Sequence, residues 1–336
     1  VAILAGTIAG PQLAGIEVGW PYWVGAACLA VAVTGYLFSR RVPVADAVAP
    51  EIKINWNIVS ETVRNLKYLN ENNVVLNSVL GIAWFWFFGA TFLVQIPSYS
   101  QNVLGGDQNL MSGLLALFII GISTGSLLCE KLSGKQVEIG LVPFGAIGLT
   151  IFGLDLFFAS PATPGAGVTI GAFLSDGANW RIILDLLLIG IFGGFYIVPL
   201  YALVQSRSAP DHRSRVIAGL NILDALFMVI AAVMAMLILG PAGLSIPQLF
   251  LITAVLNAVV AMYIFTLVPE FLMRFLVWML IQPIYRVRVT GMENSPEEGP
   301  VIVAANHVSC VDPLMLGGVL GGPVGGGGWS GWSGGG

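Results

Sequence analysis

The sequence predicts an all-α membrane protein with about eight transmembrane helices, followed by the start of an α/β domain. Hydrophobic residues make up 57% of the 336 residues and charged residues only 10%, whereas a soluble domain carries about 25% charged residues. The mean hydropathy is +0.87, and the charges fall in clusters between long apolar runs. This composition excludes a water-soluble globular protein, and we expect no nucleic acid among its partners.

Eight apolar segments have the length that crosses about 30 Å of hydrocarbon as a helix. In chain order they are 1–17, 21–38, 74–97, 110–128, 139–158, 182–204, 216–240 and 247–268. The first of them already begins at Val1, without an initiating methionine. We therefore expect the chain to be a fragment of a longer protein.

Basic residues predict how these segments are oriented. Of the 14 Lys and Arg residues, only Arg181 belongs to the connections on one side of the membrane. The other connections hold Arg40, Arg41, Lys53, Arg64, Lys67, Lys131, Lys135, Arg207, Arg213, Arg215, Arg274, Arg286 and Arg288. Because positive residues stay on the cytoplasmic side, the long connection 39–73 and the C-terminal region are expected to face the cytosol.

The three cysteines give no indication of a bound metal or of disulfide bonds. Cys28, Cys129 and Cys310 share no metal-type spacing, and their odd number leaves no complete pairing. We therefore expect no metal site and no cofactor.

Two local patterns predict how the helices meet. In the connection 39–73, apolar residues recur every three or four positions, which predicts an amphipathic helix on the membrane face or a linker helix between two bundles. These residues are Trp56, Val59, Val63, Leu66 and Leu69. Gly121 with Gly125, and Gly190 with Gly194, form small-xxx-small pairs that allow helices to approach closely in lipid.

Asp224 is the strongest candidate for a transport residue. It lies about 13 Å along its helix from the nearest basic residue, and an ionisable side chain near the bilayer midplane indicates function by default. Asn221 lies one turn before it, and Asn257 reaches a similar depth in its own helix. These three residues are predicted to bind substrate. The alternative is a buried, protonated Asp224 bonded to a neighbouring helix, and Asp185 is expected to form a rim ion pair with Arg181.

After residue 268 the sequence changes from spanning helices to the start of a soluble domain. Residues 271–285 are apolar but short, which favours an interfacial helix, and 301–305 are typical of a buried strand. The strand leads into a loop with the sequence Asn306-His307-Val308-Ser309-Cys310-Val311-Asp312. From 317 to 336 most residues are glycine, a composition that forms no packed core.

His307 and Asp312 have the side chains that acyl transfer to a hydroxyl group requires. The hydroxyl of a lysolipid is a weak nucleophile, so His307 would accept its proton during attack on a thioester. Asp312 would fix the imidazole tautomer and stabilise the charged ring. Asn306 and Ser309 would support the loop.

The order of the helices resembles the major facilitator superfamily, in which two six-helix bundles are joined by a central cytoplasmic loop. Glu130, Lys131, Gly134 and Lys135 support this resemblance, because they are similar to the family's gating motif in a cytoplasmic turn. The resemblance implies five regions. They are the last two helices of the first bundle (1–38), the central loop (39–73), the second bundle (74–268), the interfacial helix with the acyltransferase start (269–316), and the glycine-rich tail (317–336).

More specifically, the chain resembles the lysophospholipid transporters that are fused to a glycerolipid acyltransferase in Gram-negative bacteria. Residues 83–90, Gln95 with Pro97, and 138–143 carry this resemblance in the helices, and 291–312 carry it in the acyltransferase start. The resemblance implies transport of lysophospholipid, chiefly lysophosphatidylethanolamine, to the cytoplasmic leaflet of the inner membrane, with re-acylation there. Acyl carrier protein or acyl-CoA would donate the acyl group, and membrane lipid would surround the helices.

Two alternatives remain open from the sequence. A transporter of the same fold could carry a drug or small metabolite in exchange for protons through Asp224, or the helices could serve only to anchor the acyltransferase. The further motifs of the acyltransferase family do not follow Leu316. We therefore expect this chain alone to be inactive as an enzyme.

Overall fold

The computed structural model describes residues 19–43, 56–132, 140–163, 165–209 and 212–267, with the short pieces 5–6, 9–10 and 12–13. The helices with defined ends are α1 (Trp20–Ser39), α2 (Ile58–Leu69), α3 (Asn73–Asn102), α4 (Gln108–Leu132), α5 (Leu141–Ala159), α6 (Ile170–Ser175), α7 (Trp180–Arg207), α8 (Arg213–Leu239) and α9 (Ile246–Leu267). A 3₁₀ turn, Gly177–Asn179, precedes α7.

Seven helices in the described part of the chain are long and apolar enough to cross a membrane, namely α1, α3, α4, α5, α7, α8 and α9. They correspond to the predicted spans from 21–38 onward, so the prediction of an all-α membrane protein is confirmed. Helix α3 continues through Pro97 to Asn102, beyond its predicted end. The predicted span 1–17 lies largely outside the described residues, and the predicted α/β start lies entirely outside them.

Polar side chains fix where several helices begin. Asn57 Oδ1 accepts a hydrogen bond from the backbone N–H of Ser60 at 3.0 Å, at the start of α2. Asn72 Oδ1 accepts one from Val74 N–H at 2.9 Å, at the start of α3. Such caps satisfy N–H groups that have no partner within the first helical turn, so α2 and α3 each begin at a defined residue.

Helix α7 lies at the centre of the bundle formed by α3, α4, α5, α7, α8 and α9. It packs against α3, α4 and α5, while α8 packs mainly on α3, and α9 packs mainly on α5. Aromatic rings join α3 to α9, because Phe92 stacks on Phe88 and on Phe250 with ring centroids 4.6 and 4.5 Å apart. The buried face of α3 therefore connects the helices on its two sides.

The predicted glycine pairs form the contact between α4 and α7. A Cβ atom added at Gly190 would lie 2.9 Å from the Cα of Gly121, and one added at Gly194 would lie 2.9 Å from the Cα of Gly125. Any side chain at these positions would push the two backbones apart. The prediction that these pairs serve close helix packing is therefore confirmed.

Helix α2 forms as predicted and is amphipathic, but the bundle covers only part of its apolar face. Leu69 is buried at 1% exposure, whereas Trp56, Val59 and Val63 are exposed. Three of the four steps along the predicted stripe are of three residues, which is shorter than the 3.6-residue turn. The stripe therefore drifts across one face of the helix, and Leu66 and Leu69 at its C-terminal end reach the bundle.

Helix α2 is attached to the beginning of α8. The Arg215 guanidinium lies 3.4 Å from the Glu61 carboxylate, and the rings of Tyr68 and His212 pack with centroids 4.4 Å apart. Leu69 fills the space beside Gly219, where an added Cβ would lie 3.1 Å from a Leu69 methyl group. Helix α2 is therefore fixed to α8 by charge, ring and apolar contacts.

Candidate substrate site in the helical bundle

Asp224 is a buried acid on the face of α8 that packs against the bundle. It is 8% exposed, and within the described part of the chain its Oδ1 atom has no hydrogen-bond partner. Burial of a charged group without a partner is costly, and such groups inside a membrane protein indicate binding or transport. The alternative is that Asp224 only joins two helices through a hydrogen bond. Oδ1 gives this alternative no support, because no described residue donates a hydrogen bond to it.

Two aromatic side chains from the adjacent helices α3 and α7 form a hydrogen-bonded pair. The indole N–H of Trp86 on α3 donates a hydrogen bond to the hydroxyl of Tyr201 on α7 at 3.1 Å. Tyr201 in turn lies within electrostatic range of Asp224. A carboxylate, a tyrosine and a tryptophan are the kinds of side chain that attract an ammonium group, through charge and cation–π attraction.

A groove of about 440 Å³ lies between α3 and α8, beyond this acid. Its lining is Ala90, Thr91, Val94, Gln95, Met228, Ala231, Ala232, Ala235, Met236 and Leu239. On α8, Met228, Ala231 and Ala235 follow Asp224 at the spacing of one helical face. On α3, Ala90 and Val94 follow Trp86 in the same way. The groove therefore begins one helical turn from Asp224 on α8 and one turn from Trp86 on α3.

The structure does not bring the three predicted substrate residues together. Asn257 is fully buried, and its Oδ1 accepts a hydrogen bond from Trp84 Nε1 at 2.9 Å. Its Nδ2 donates to the carbonyl of Ala146 at 3.0 Å and to Thr150 Oγ1 at 2.9 Å. These bonds join α9 to α3 and α5. Asn221 is exposed on α8, so among the three only Asp224 lies in the buried site described above.

Arg181 pairs with Asp155 of α5, which corrects the predicted pair with Asp185. Arg181 Nε donates to Asp155 Oδ2 at 2.8 Å, and Nη2 donates to the other carboxylate oxygen. This two-pronged geometry matches the guanidinium fork. An Arg placed four residues before an Asp on one helix is the weaker order for an ion pair. Asp185 is left buried at 1% exposure.

Sequence reasoning missed Trp86, Tyr201 and Asp155. Trp86 lies in the aromatic segment 83–90, which resembles the transporter family, but its role depends on a hydrogen bond to Tyr201, 115 positions away. Tyr201 had a usable signal, since a hydroxyl-bearing ring lies in the cytoplasmic half of a predicted span. Asp155 had no comparable signal.

The predicted gating and catalytic residues are described only in part. Glu130 and Lys131 lie exposed at the C-terminal end of α4, as expected for a motif in a polar turn. Gly134, Lys135, His307 and Asp312 lie outside the described residues, so their predicted roles stay predictions.

Comparison with known proteins finds two separate similarities. The acyltransferase family model matches residues 286–324, a range that includes His307 and Asp312. The chain is also 28% identical over 211 residues to proteins named lysophospholipid transporter LplT from Escherichia coli O157:H7 and Shigella boydii serotype 4 (strain Sb227).

This alignment covers 61% of the chain and 47% of each relative, so the chain spans about half the length of the curated relatives it matches. No solved structure matches the chain. The two similarities together are those of a lysophospholipid transporter joined to an acyltransferase segment, as the sequence resemblance predicted.

Proposed function

We propose that this protein moves lysophospholipid to the cytoplasmic leaflet of the bacterial inner membrane, where an acyltransferase domain joined to it restores the second acyl chain. The observation that carries the proposal is the buried Asp224 carboxylate, whose Oδ1 lacks a hydrogen-bond partner among the described residues. The similarity to proteins named lysophospholipid transporters supports the same substrate class.

The polar head of the lipid requires a path shielded from hydrocarbon. An ethanolamine head carries an ammonium group, which would pair with Asp224 and lie against the rings near it, so that its charge is balanced at the centre of the membrane. The acid and the head each lose water on burial, and the cost is offset only when they meet. Selection would therefore favour a head that carries an ammonium group over one that does not.

Alternating exposure of this site would move the lipid. In the proposed mechanism two helical bundles rock about the site. The charged residues of the gating motif, Glu130, Lys131 and Lys135, close the cytoplasmic side by pairing charges across the gap between the bundles, and Gly134 is the glycine of the same motif. Asn221 and Asn257 are further predicted contacts for the head. Asn257 would have to exchange its present bonds to take this role.

The acyltransferase step would follow at the cytoplasmic surface. His307 would remove the proton from the free hydroxyl of the lysolipid as the hydroxyl attacks the thioester of an acyl carrier protein or acyl-CoA. The C–S bond of the thioester would break as the new ester forms, and the thiol would leave with the proton that His307 had accepted. Asp312 would orient the ring and balance its charge after proton transfer. The family match at residues 286–324 supports this assignment. Lysolipid would be the substrate that the transporter and the acyltransferase share.

Uptake of lysophosphatidylethanolamine into liposomes that contain the intact protein tests the transport proposal. Asp224→Asn keeps the size of the side chain but removes its charge, so folding is retained while the ammonium loses its partner. Loss of a charge-assisted hydrogen bond of about 1.5–3 kcal/mol predicts uptake about ten- to hundredfold slower.

The matched control is Asp176→Asn, the same chemical change at an exposed residue in the turn before α7. Its amide oxygen can still accept the hydrogen bond from Ala178 N–H, so uptake should stay at the wild-type rate. Equal uptake by the two variants, or no uptake that depends on the head group, would contradict the lipid proposal. Proton-coupled exchange of a small molecule would then be the better assignment.

A further inference from the structure

We propose that the groove between α3 and α8 holds the single acyl chain of the transported lysolipid, while the head lies at Asp224. This inference rests on the proposed function and adds a second part to the same site. It follows from the position of the groove, the chemistry of its lining and the size of its side chains.

The position of the groove fits one lipid molecule that occupies both places. Lipid heads and chains are covalently joined, so their sites must be continuous. Met228, the first groove residue on α8, lies one helical turn beyond Asp224, and Ala90, the first on α3, lies one turn beyond Trp86. From Met228 to Leu239 the groove follows about 16 Å of helix at 1.5 Å per residue, an elongated shape suited to an alkyl chain.

The lining of the groove is suited to hydrocarbon. Alanine, valine, leucine and methionine side chains form most of its wall. The Thr91 hydroxyl already donates to the carbonyl of Phe87 at 2.9 Å, so it needs no partner from a ligand. Gln95 is the remaining polar residue, and it lies half-buried toward the end of the groove that is farther from Asp224.

Small side chains create this space and limit it. Ala231 and Ala235 are buried on α8 at 2% and 7% exposure, and they pack where larger residues would fill the gap to α3. A volume of about 440 Å³ is near the lower end of the range for ligand sites. Because lipid tails are as apolar as leucine, the groove adds little affinity over the bilayer. Its contribution is selection by shape, for one chain rather than two.

The groove also fixes the direction of the bound lipid. The head lies toward the end of α8 that begins at Arg213, and the chain points toward the end at Leu239. The basic end is the expected cytoplasmic side. A lipid in this orientation has the direction of lipids in the cytoplasmic leaflet, so the groove holds the chain in that direction while the head is at the membrane centre.

A substitution that fills the groove tests this assignment. Ala232 is exposed and lines the open side of the groove, so Ala232→Phe places a ring there. Val233→Phe places the same ring at the next residue, which is also exposed, at 45%, but does not line the groove. Uptake of long-chain and short-chain lysophosphatidylethanolamine is measured with the intact protein in liposomes. Ala232→Phe should slow long-chain uptake about tenfold or more and short-chain uptake far less, while Val233→Phe should change neither.

Photochemical labelling gives a second measurement that needs no variant. A lysophosphatidylethanolamine with a diazirine at the end of its acyl chain should label the α8 segment from Met228 to Leu239 in the wild-type protein, with unlabelled lysolipid as competitor. Competed labelling on α1 or α9 in place of this segment would overturn the assignment.

The outcomes separate this inference from the proposed function. If the wild-type protein takes up no lysolipid, or Asp224→Asn has no effect, the proposed function itself fails. If uptake depends on Asp224 but Ala232→Phe behaves like Val233→Phe, or slows both chain lengths equally, only the assignment of the groove is wrong.

Discussion

Replacing Gly125 by alanine adds one methyl group at a very close contact between α4 and α7. The new Cβ atom would lie 2.1 Å from the carbonyl oxygen of Ile191, whereas ordinary van der Waals contact begins at 3.4 Å. The helices would have to separate by about 1.3 Å, because a close-packed interior has no space to absorb the atom. The atom that blocks it belongs to the backbone, so no side-chain rotation relieves the clash.

The expected magnitude follows from two opposing effects. Insertion of one extra carbon into a packed contact costs about 1–3 kcal/mol, and a rigid backbone clash favours the upper end of this range. Alanine also stabilises a helix by about 0.5–1 kcal/mol relative to glycine. We therefore expect Gly125→Ala to lower the free energy of unfolding by about 2 kcal/mol.

Gly113→Ala on the same helix is the matched control. Its Cβ would meet only the end of the Ile170 side chain, at 3.0 Å, and that side chain can move. This variant should be as stable as the wild type or slightly more stable. Unfolding of each protein in mixed micelles, followed by circular dichroism during titration with dodecyl sulfate, measures the difference. Equal stability of the two variants would refute the close contact between α4 and α7.

Two further predictions concern predicted functional residues. Asn257→Ala removes three hydrogen bonds between helices, each worth about 0.6 kcal/mol on average in a membrane protein, so the same titration should show a loss of about 2 kcal/mol. Unchanged stability with weaker lysolipid binding would instead support the sequence-based substrate role. In the intact protein, His307→Ala should slow acyl transfer to lysolipid about 10²- to 10⁴-fold, while Cys310→Ser should remain active. An active His307→Ala variant would exclude this residue as the base.

The helices of this protein could be predicted from sequence because membrane spans depend on local features. A run of about 20 apolar residues needs no knowledge of its neighbours to be identified. The glycine pairs were also predictable, since residues four apart lie on one face of a helix. Only the partner helix was missing from that prediction, and the structure supplies it as α7 for Gly121 and Gly125.

The polar contacts were less predictable because packing of whole helices decides them. The sequence predicts Asp185, one helical turn from Arg181, as its partner, whereas Asp155 lies 26 positions away and offers both oxygens to the guanidinium. In the same way, the positions of Asn257 and Asp224 along their predicted helices indicated a similar depth in the membrane. It could not show that Asn257 faces Trp84 and Thr150 while Asp224 faces another part of the bundle.

The attachment of α2 to α8 has a mechanical consequence. The Glu61–Arg215 and Tyr68–His212 contacts hold α2 against α8, and only residues 70–72 separate α2 from α3. Helix α2 therefore joins the starts of the two helices that line the groove, and a movement of α2 would shift both starts together.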